Sequence, residues 1–216
     1  YVVNCHDGVA HGELDIYGIL GMSCNGAFDT IAQTLNSTKW QKLAEDFGYN
    51  QSDRSQVDFP YKKSHFDIAS DDSVWSRMQP AIGQGTTTVT PLLNLMIYAA
   101  IANDGVMMTP YLVDHYLDAD GNVVEQTKPK ALRSVCTKAE AELMDEFLTY
   151  VITNGTAAAG GSQYARVSGK TGSAQYDSTK NYHAWFCGYG TNDVSEIAVC
   201  VMIEKGGAGG IVAAPV

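Results

Sequence analysis

Three strand-like segments near the end of the chain, at about 163–173, 183–190 and 196–204, the last two of them apolar runs, constrain the fold more than any other feature. Short polar turns separate them, and consecutive strands joined by such turns pair antiparallel, because a parallel crossover needs a dozen residues or more. The first half carries a different period. Phe28, Ile31, Ala32 and Leu35 fall at helical spacing, and Trp40, Leu43, Ala44 and Phe47 repeat it. Ser23 or Asn25 is placed to cap the first of these helices. Thr90 and Pro91 are a good N-cap and first position for a helix that is apolar nearly all round from Leu92 to Ala102, which predicts burial, and Asn103-Asp104-Gly105 ends it. Tyr111 to Leu117 and Asn122 to Val124 flank Asp120-Gly121, a hairpin signal. Thr137-Lys138-Ala139-Glu140 is a capping box, followed by a stripe of Leu143, Met144, Phe147, Leu148 and Val151 that stops near Asn154-Gly155. Residues 49–72 are polar and read as a long surface excursion. The expected class is α/β in the α+β sense: a helical region, then an antiparallel C-terminal sheet.

At 216 residues, 45% hydrophobic and 18% charged, the chain has ample material for a core. A net charge of −10 argues against nucleic acid or an anionic membrane surface as the main partner. One local lysine can still dominate a pocket for a small anion. No run of about 18 apolar residues is present to span a bilayer. The start, Tyr1-Val2-Val3-Asn4, has neither a basic region nor an apolar leader core, and no initiator methionine, so the chain is expected to begin inside a longer polypeptide. Its five cysteines are odd in number and form no CxxC pair. They are expected to be small buried residues rather than a disulfide framework or a zinc site, with no metal and no cofactor.

Lys170-Thr171-Gly172-Ser173 carries the most chemistry. In a strand, Lys170 and Gly172 share one face, and Thr171 and Ser173 the other. Gly172 leaves room for another backbone, so an extended peptide could pair along the edge while the ammonium and hydroxyls meet a carboxylate. The same four letters also suit a short turn with a solvated lysine. A phosphate-binding P-loop is excluded, since it needs glycine where Tyr164 stands and opens a helix rather than a strand. Ser23-Cys24-Asn25 offers a hydroxyl and an amide on one turn, and helix capping would explain it equally. Ile82-Gly83-Gln84-Gly85 suggests a tight passage before the apolar helix, which a structural loop also accounts for.

Taken in order, these segments resemble the transpeptidase domain of the penicillin-binding proteins, within the penicillin-recognising serine enzymes. Ser-x-Asn leads through Gly26-Ala27-Phe28 into a helix. Ile82-Gly83-Gln84-Gly85 leads through Val89-Thr90-Pro91 to Ile101-Ala102-Asn103-Asp104-Gly105. Then follow Ser168-Gly169-Lys170-Thr171-Gly172-Ser173-Ala174, His183-Ala184-Trp185-Phe186 and Ala213-Ala214-Pro215. Order and spacing are similar to the class B, monofunctional type. The resemblance implies a β-lactamase/transpeptidase-like fold and a bacterial, membrane-anchored, extracytoplasmic enzyme of peptidoglycan biosynthesis. That enzyme cross-links stem peptides through an acyl-serine and is trapped by β-lactams. It further implies that Ser23 relays a proton to the leaving amine and that Asn25 holds the substrate amide. Lys170 would supply positive charge, Thr171, Gly172 and Ser173 would line the carboxylate site, and the Ser173 N–H would form half of an oxyanion hole.

The family's nucleophile lies in Ser-x-x-Lys upstream of Ser-x-Asn. No lysine here has a serine three residues before it. The chain is therefore expected to be a partial transpeptidase domain over 1–216, truncated at both ends. Alone it is expected to be inactive and prone to self-association, with membrane attachment only through a segment it does not contain. The alternatives are a non-catalytic β-lactam sensor domain and a D,D-carboxypeptidase or β-lactamase of the same family. His183 is expected to be structural.

Overall fold

The computed structural model describes residues 5, 8–51, 57–68, 73–177, 179 and 181–216. Helices α1 (Ile16–Gly21), α2 (Asn25–Thr34), α3 (Ser37–Asp46), α4 (Val74–Ala81) and α5 (Pro91–Ala102) come first. Two small antiparallel pairs follow, β1 (Val106–Met108) with β4 (Ala131–Ser134) and β2 (His115–Leu117) with β3 (Val123–Gln126). Helix α6 (Lys138–Asn154) leads into a three-stranded antiparallel sheet of β5 (Arg166–Gln175), β6 (Tyr182–Thr191) and β7 (Glu196–Ile203), in spatial order β5-β6-β7. A short helix α7 (Gly209–Val212) closes the described chain. The three terminal strands, the hairpin and the α+β class are as the sequence predicts. The strong local signals behave as expected: Thr90 Oγ1 accepts from the Leu93 N–H at 3.1 Å, and Thr137 and Glu140 form both bonds of the capping box.

Tertiary packing changes several expectations. Neither Ser23 nor Asn25 caps a helix: Cys24 is the N-cap of α2 and provides no side-chain cap, while Ser23 is left-handed with φ of 51°. Helix α5 fully buries only Leu93 and Ala100; it packs against β6 and β7, Pro91 is exposed, and its other side chains are half-covered. On α6 the buried positions are Ala141, Leu148, Val151 and Ile152, and Leu143 stays exposed, because the helix leans on β5 and α1 from one side. The excursion at 49–72 lies partly outside the described residues, but 57–68 is no simple surface loop, since Ser64, Phe66 and Ile68 are buried. Hydrogen bonds from the Asn50 and Gln41 side chains to the Phe66 carbonyl hold it in. Of the five cysteines, all free, only Cys187 is buried.

The main core joins α6, the sheet and the C-terminal turn: Val151, Ile152, Ala157, Ala184, Phe186, Ala213 and Ala214. A second core of Ala100, Met107 and Val135 ties α5 to β1 and β4. At the end of α5, Asp104 and Gly105 are both left-handed, and a Cβ on Gly105 would stand 2.3 Å from the Cys136 carbonyl oxygen. Only glycine fits that position.

Candidate active site

Two glycines bring Ser23 to the sheet. Gly21 ends α1 where a Cβ would meet the Tyr150 ring of α6 at 2.8 Å, and a Cβ on Gly155 would meet the Gly21 carbonyl oxygen at 2.5 Å. The Thr156 N–H donates to that same carbonyl at 2.9 Å. Close backbone contact thus locks α1 against the end of α6. The chain then reverses: the Ser23 and Cys24 amides donate back to Leu20 and Ile19. Ser23 is left projecting toward β5.

The Lys170 ammonium meets it there, donating to Ser23 Oγ at 2.8 Å and to the Thr171 carbonyl at 3.0 Å. Lys170 is half-covered, and burial pulls its pKa down to about 8. A lysine in that range is a proton carrier near neutral pH as well as a charge. Asn25 is the first residue of α2, two positions after Ser23.

The strand faces divide as their alternation predicts. Thr171 Oγ1 lies 3.0 Å from Thr156 Oγ1, and exposed Ser173 accepts the Gly209 N–H at 3.1 Å, leaving its own proton to donate outward. Backbone approaches closely at Gly172 from Gly209. A Cβ on Gly209 would stand 2.3 Å from the Gly172 carbonyl oxygen, whereas one on Gly172 would only press on Trp185 at 3.3 Å. Among the described residues β5 pairs with β6 alone, so its outer edge bears no strand. The structure brings Ser23, Lys170, Thr171, Gly172 and Ser173 to one edge. Gln84 sits in a tight turn where its N–H donates to Gln79 O at 2.8 Å. His183 accepts the Lys205 N–H and stacks on Tyr176, a structural arrangement.

Behind Lys170, Asp145 of α6 accepts from Ser168 Oγ, Tyr189 Oη and Arg166 at 2.6–2.7 Å. Burial would raise its carboxyl, but the Tyr189, Arg166 and Ser168 donors outweigh burial and hold it below the usual range. The sequence reading missed Gly209, Thr156 and Asp145. The run Gly206-Gly207-Ala208-Gly209-Gly210 was the available signal for the first, since clustered glycines mark close backbone approach. It also missed that Cys5, His11 and Cys24 gather their ligand atoms within 4.8 Å of one another, the one such metal-ligating group among the described residues. Counting CxxC spacing does not detect ligands brought together by a loop.

A lysine on a strand edge bonded to the serine of Ser-x-Asn, under an α+β fold, defines the penicillin-recognising class of acyl-transfer proteins. The chain matches the penicillin binding protein transpeptidase domain over residues 3–216, and it belongs to that family. It is similar to the peptidoglycan D,D-transpeptidase PbpA of Mycolicibacterium smegmatis, 29% identical over 203 residues, covering 90% of this chain and 40% of that protein. It is 27% identical to the stage V sporulation protein D of Bacillus subtilis, covering 99% of this chain and 34% of that one. Among solved structures, the D,D-transpeptidase domain of a peptidoglycan glycosyltransferase from Eggerthella lenta superposes with a TM-score of 0.83 at 28% identity, over 96% of this chain and 52% of that one. An imipenem acyl-enzyme of penicillin-binding protein A from M. tuberculosis gives 0.85 at 25% identity, over 97% and 47%. The chain thus spans well under half the length of these curated relatives. Among the described residues no helix is long and apolar enough to cross a membrane.

Proposed function

We propose that this chain supplies two walls of the active site of a peptidoglycan D,D-transpeptidase working on the outer face of the bacterial membrane. The Lys170–Ser23 hydrogen bond at 2.8 Å, between residues 147 apart in sequence, carries the reading. In it, the stem peptide lies extended along the free edge of β5. Its terminal carboxylate meets the Lys170 charge and the Ser173 hydroxyl, whose proton is free to donate because its oxygen already accepts from Gly209. Asn25 orients the penultimate amide. The Ser173 N–H stabilises the oxyanion that develops on the attacked carbonyl. When the bond to D-Ala breaks, Ser23 passes a proton to the departing amine and is resupplied from Lys170. A β-lactam occupies the same edge as a mimic of the dipeptide.

The 216 residues contain no Ser-x-x-Lys, so the nucleophile of this reading comes from another stretch of polypeptide, and the chain alone does not acylate. A fluorescent penicillin tests both parts. The isolated chain should remain unlabelled after denaturing electrophoresis, and a longer polypeptide carrying Ser-x-x-Lys ahead of Tyr1 should label. In that polypeptide Ser23→Ala or Lys170→Ala should slow acylation by about 100-fold or more. Covalent labelling of the isolated chain, or an unchanged rate in Lys170→Ala, would overturn the assignment.

A further inference from the structure

We propose that Cys5, His11 and Cys24 bind a zinc ion that pins the segment preceding Ser-x-Asn to the turn carrying Ser23. The ligand atoms of all three lie within 4.8 Å of one another. The two sulfurs stand 3.6 Å apart. Two sulfurs each about 2.3 Å from one tetrahedral zinc stand about 3.8 Å apart, so the pair already has the spacing of zinc ligands. His11 points independently to a ligand: its Nδ1 is buried and has no hydrogen-bond partner among the described residues. A buried ring nitrogen without a partner is costly, and coordination would satisfy it. Two thiols and an imidazole select a borderline-soft ion over magnesium or calcium. Each thiol releases its proton to solvent on coordination, so the divalent charge is balanced by two thiolates.

The three residues line a cavity of about 420 Å³, which provides an entry path and space for a water as fourth ligand. Cys24 is the middle residue of Ser23-Cys24-Asn25 and the N-cap of α2. An ion on its sulfur therefore holds the backbone between the two residues proposed to touch substrate. It also supports Ser23 in its left-handed conformation, which non-glycine residues disfavour. The Gly8 N–H donates to Cys5 O at 2.9 Å, on the same segment as His11.

The 216-residue chain, stripped of metal and kept reduced, is titrated with cobalt(II) and then zinc(II). Cobalt should produce a thiolate charge-transfer band of two-thiolate intensity and the visible bands of a tetrahedral ion, at one equivalent per chain. Zinc should abolish both and raise Tm. Cys24→Ser, Cys5→Ser and His11→Ala should each weaken zinc binding at least about tenfold; Cys136→Ser should leave it unchanged. Should a variant fail to fold, the intensity of the wild-type band still counts the thiolates. Absence of the charge-transfer band, its persistence in Cys24→Ser, or a Cys5–Cys24 disulfide in the non-reduced mass under metal-replete conditions would overturn the proposal. Penicillin labelling is a separate readout, so failure here leaves the transpeptidase reading standing, and the reverse.

Discussion

Lys170 holds two properties in tension. Its contacts with Ser23 and Thr171 stabilise the ammonium, but burial dominates and pulls its pKa to about 8, below the ordinary lysine value. Between that value and the unfolded one the folded chain binds fewer protons than the unfolded chain, so stability contributed through this residue rises with pH across that window. Function should respond in the opposite sense. In the longer polypeptide, penicillin acylation should decline above pH 8 as the charge that attracts the carboxylate is lost. Lys170→Arg should flatten that limb, because guanidinium stays charged; stopped-flow pH profiles of the two proteins decide this. Asp145 works by the other sign. Its depressed carboxyl contributes stability that is present above the unfolded carboxylate pKa and lost as pH falls through the folded one. Asp145→Asn should cost about 1.5–3 kcal/mol, as expected for hydrogen bonds to a charged group, and should remove part of the acid slope in urea denaturation.

At the scale of elements, α5 and α7 test how the site is supported. Thr90→Ala removes the acceptor for the Leu93 N–H and should destabilise the protein by about 1 kcal/mol. For a chain of this size that corresponds to a fall in Tm of about 2–4 °C, measured by scanning calorimetry. Gly209→Ala acts closer to the chemistry. Its Cβ would meet the Gly172 and Trp185 carbonyl oxygens at 2.3 and 2.4 Å, so α7 must lift from β5 and β6. The expected cost is about 1–3 kcal/mol, with loss of the Gly209–Ser173 hydrogen bond. In the acylating polypeptide this variant should bind β-lactam more weakly than Thr90→Ala at matched stability. Equal binding by the two would deny α7 a part in shaping the carboxylate site.

For the molecule as a whole, the β2–β3 hairpin presents Leu117, Val123 and Val124, with Leu112 just ahead of it, all more than half exposed. Exposed apolar side chains of this kind promote association. Light scattering of the isolated chain should show mass rising with concentration, and Leu112→Glu with Val124→Glu should reduce it; a monodisperse monomer at all concentrations would contradict this. Much of the architecture was legible because it is local. The capping box at Thr137, the Thr90-Pro91 start and the Asp120-Gly121 turn act over three or four residues. The terminal strands follow from apolar runs with short links, which leave antiparallel pairing as the accessible solution. Short or interrupted elements left no comparable pattern: α4 contains Pro80, and β1 has only three residues. The residue types of the candidate site could likewise be picked out, since a lysine, hydroxyls and a glycine stand together in four residues of sequence. Their meeting could not. Ser23 reaches Lys170 because Gly21 and Gly155 let α1 settle against α6, and Cys5, His11 and Cys24 meet because a loop doubles back. Backbone hydrogen bonding and side-chain period are decided within a few residues of sequence, whereas approach between distant segments is decided by close packing across the fold, which no local pattern encodes.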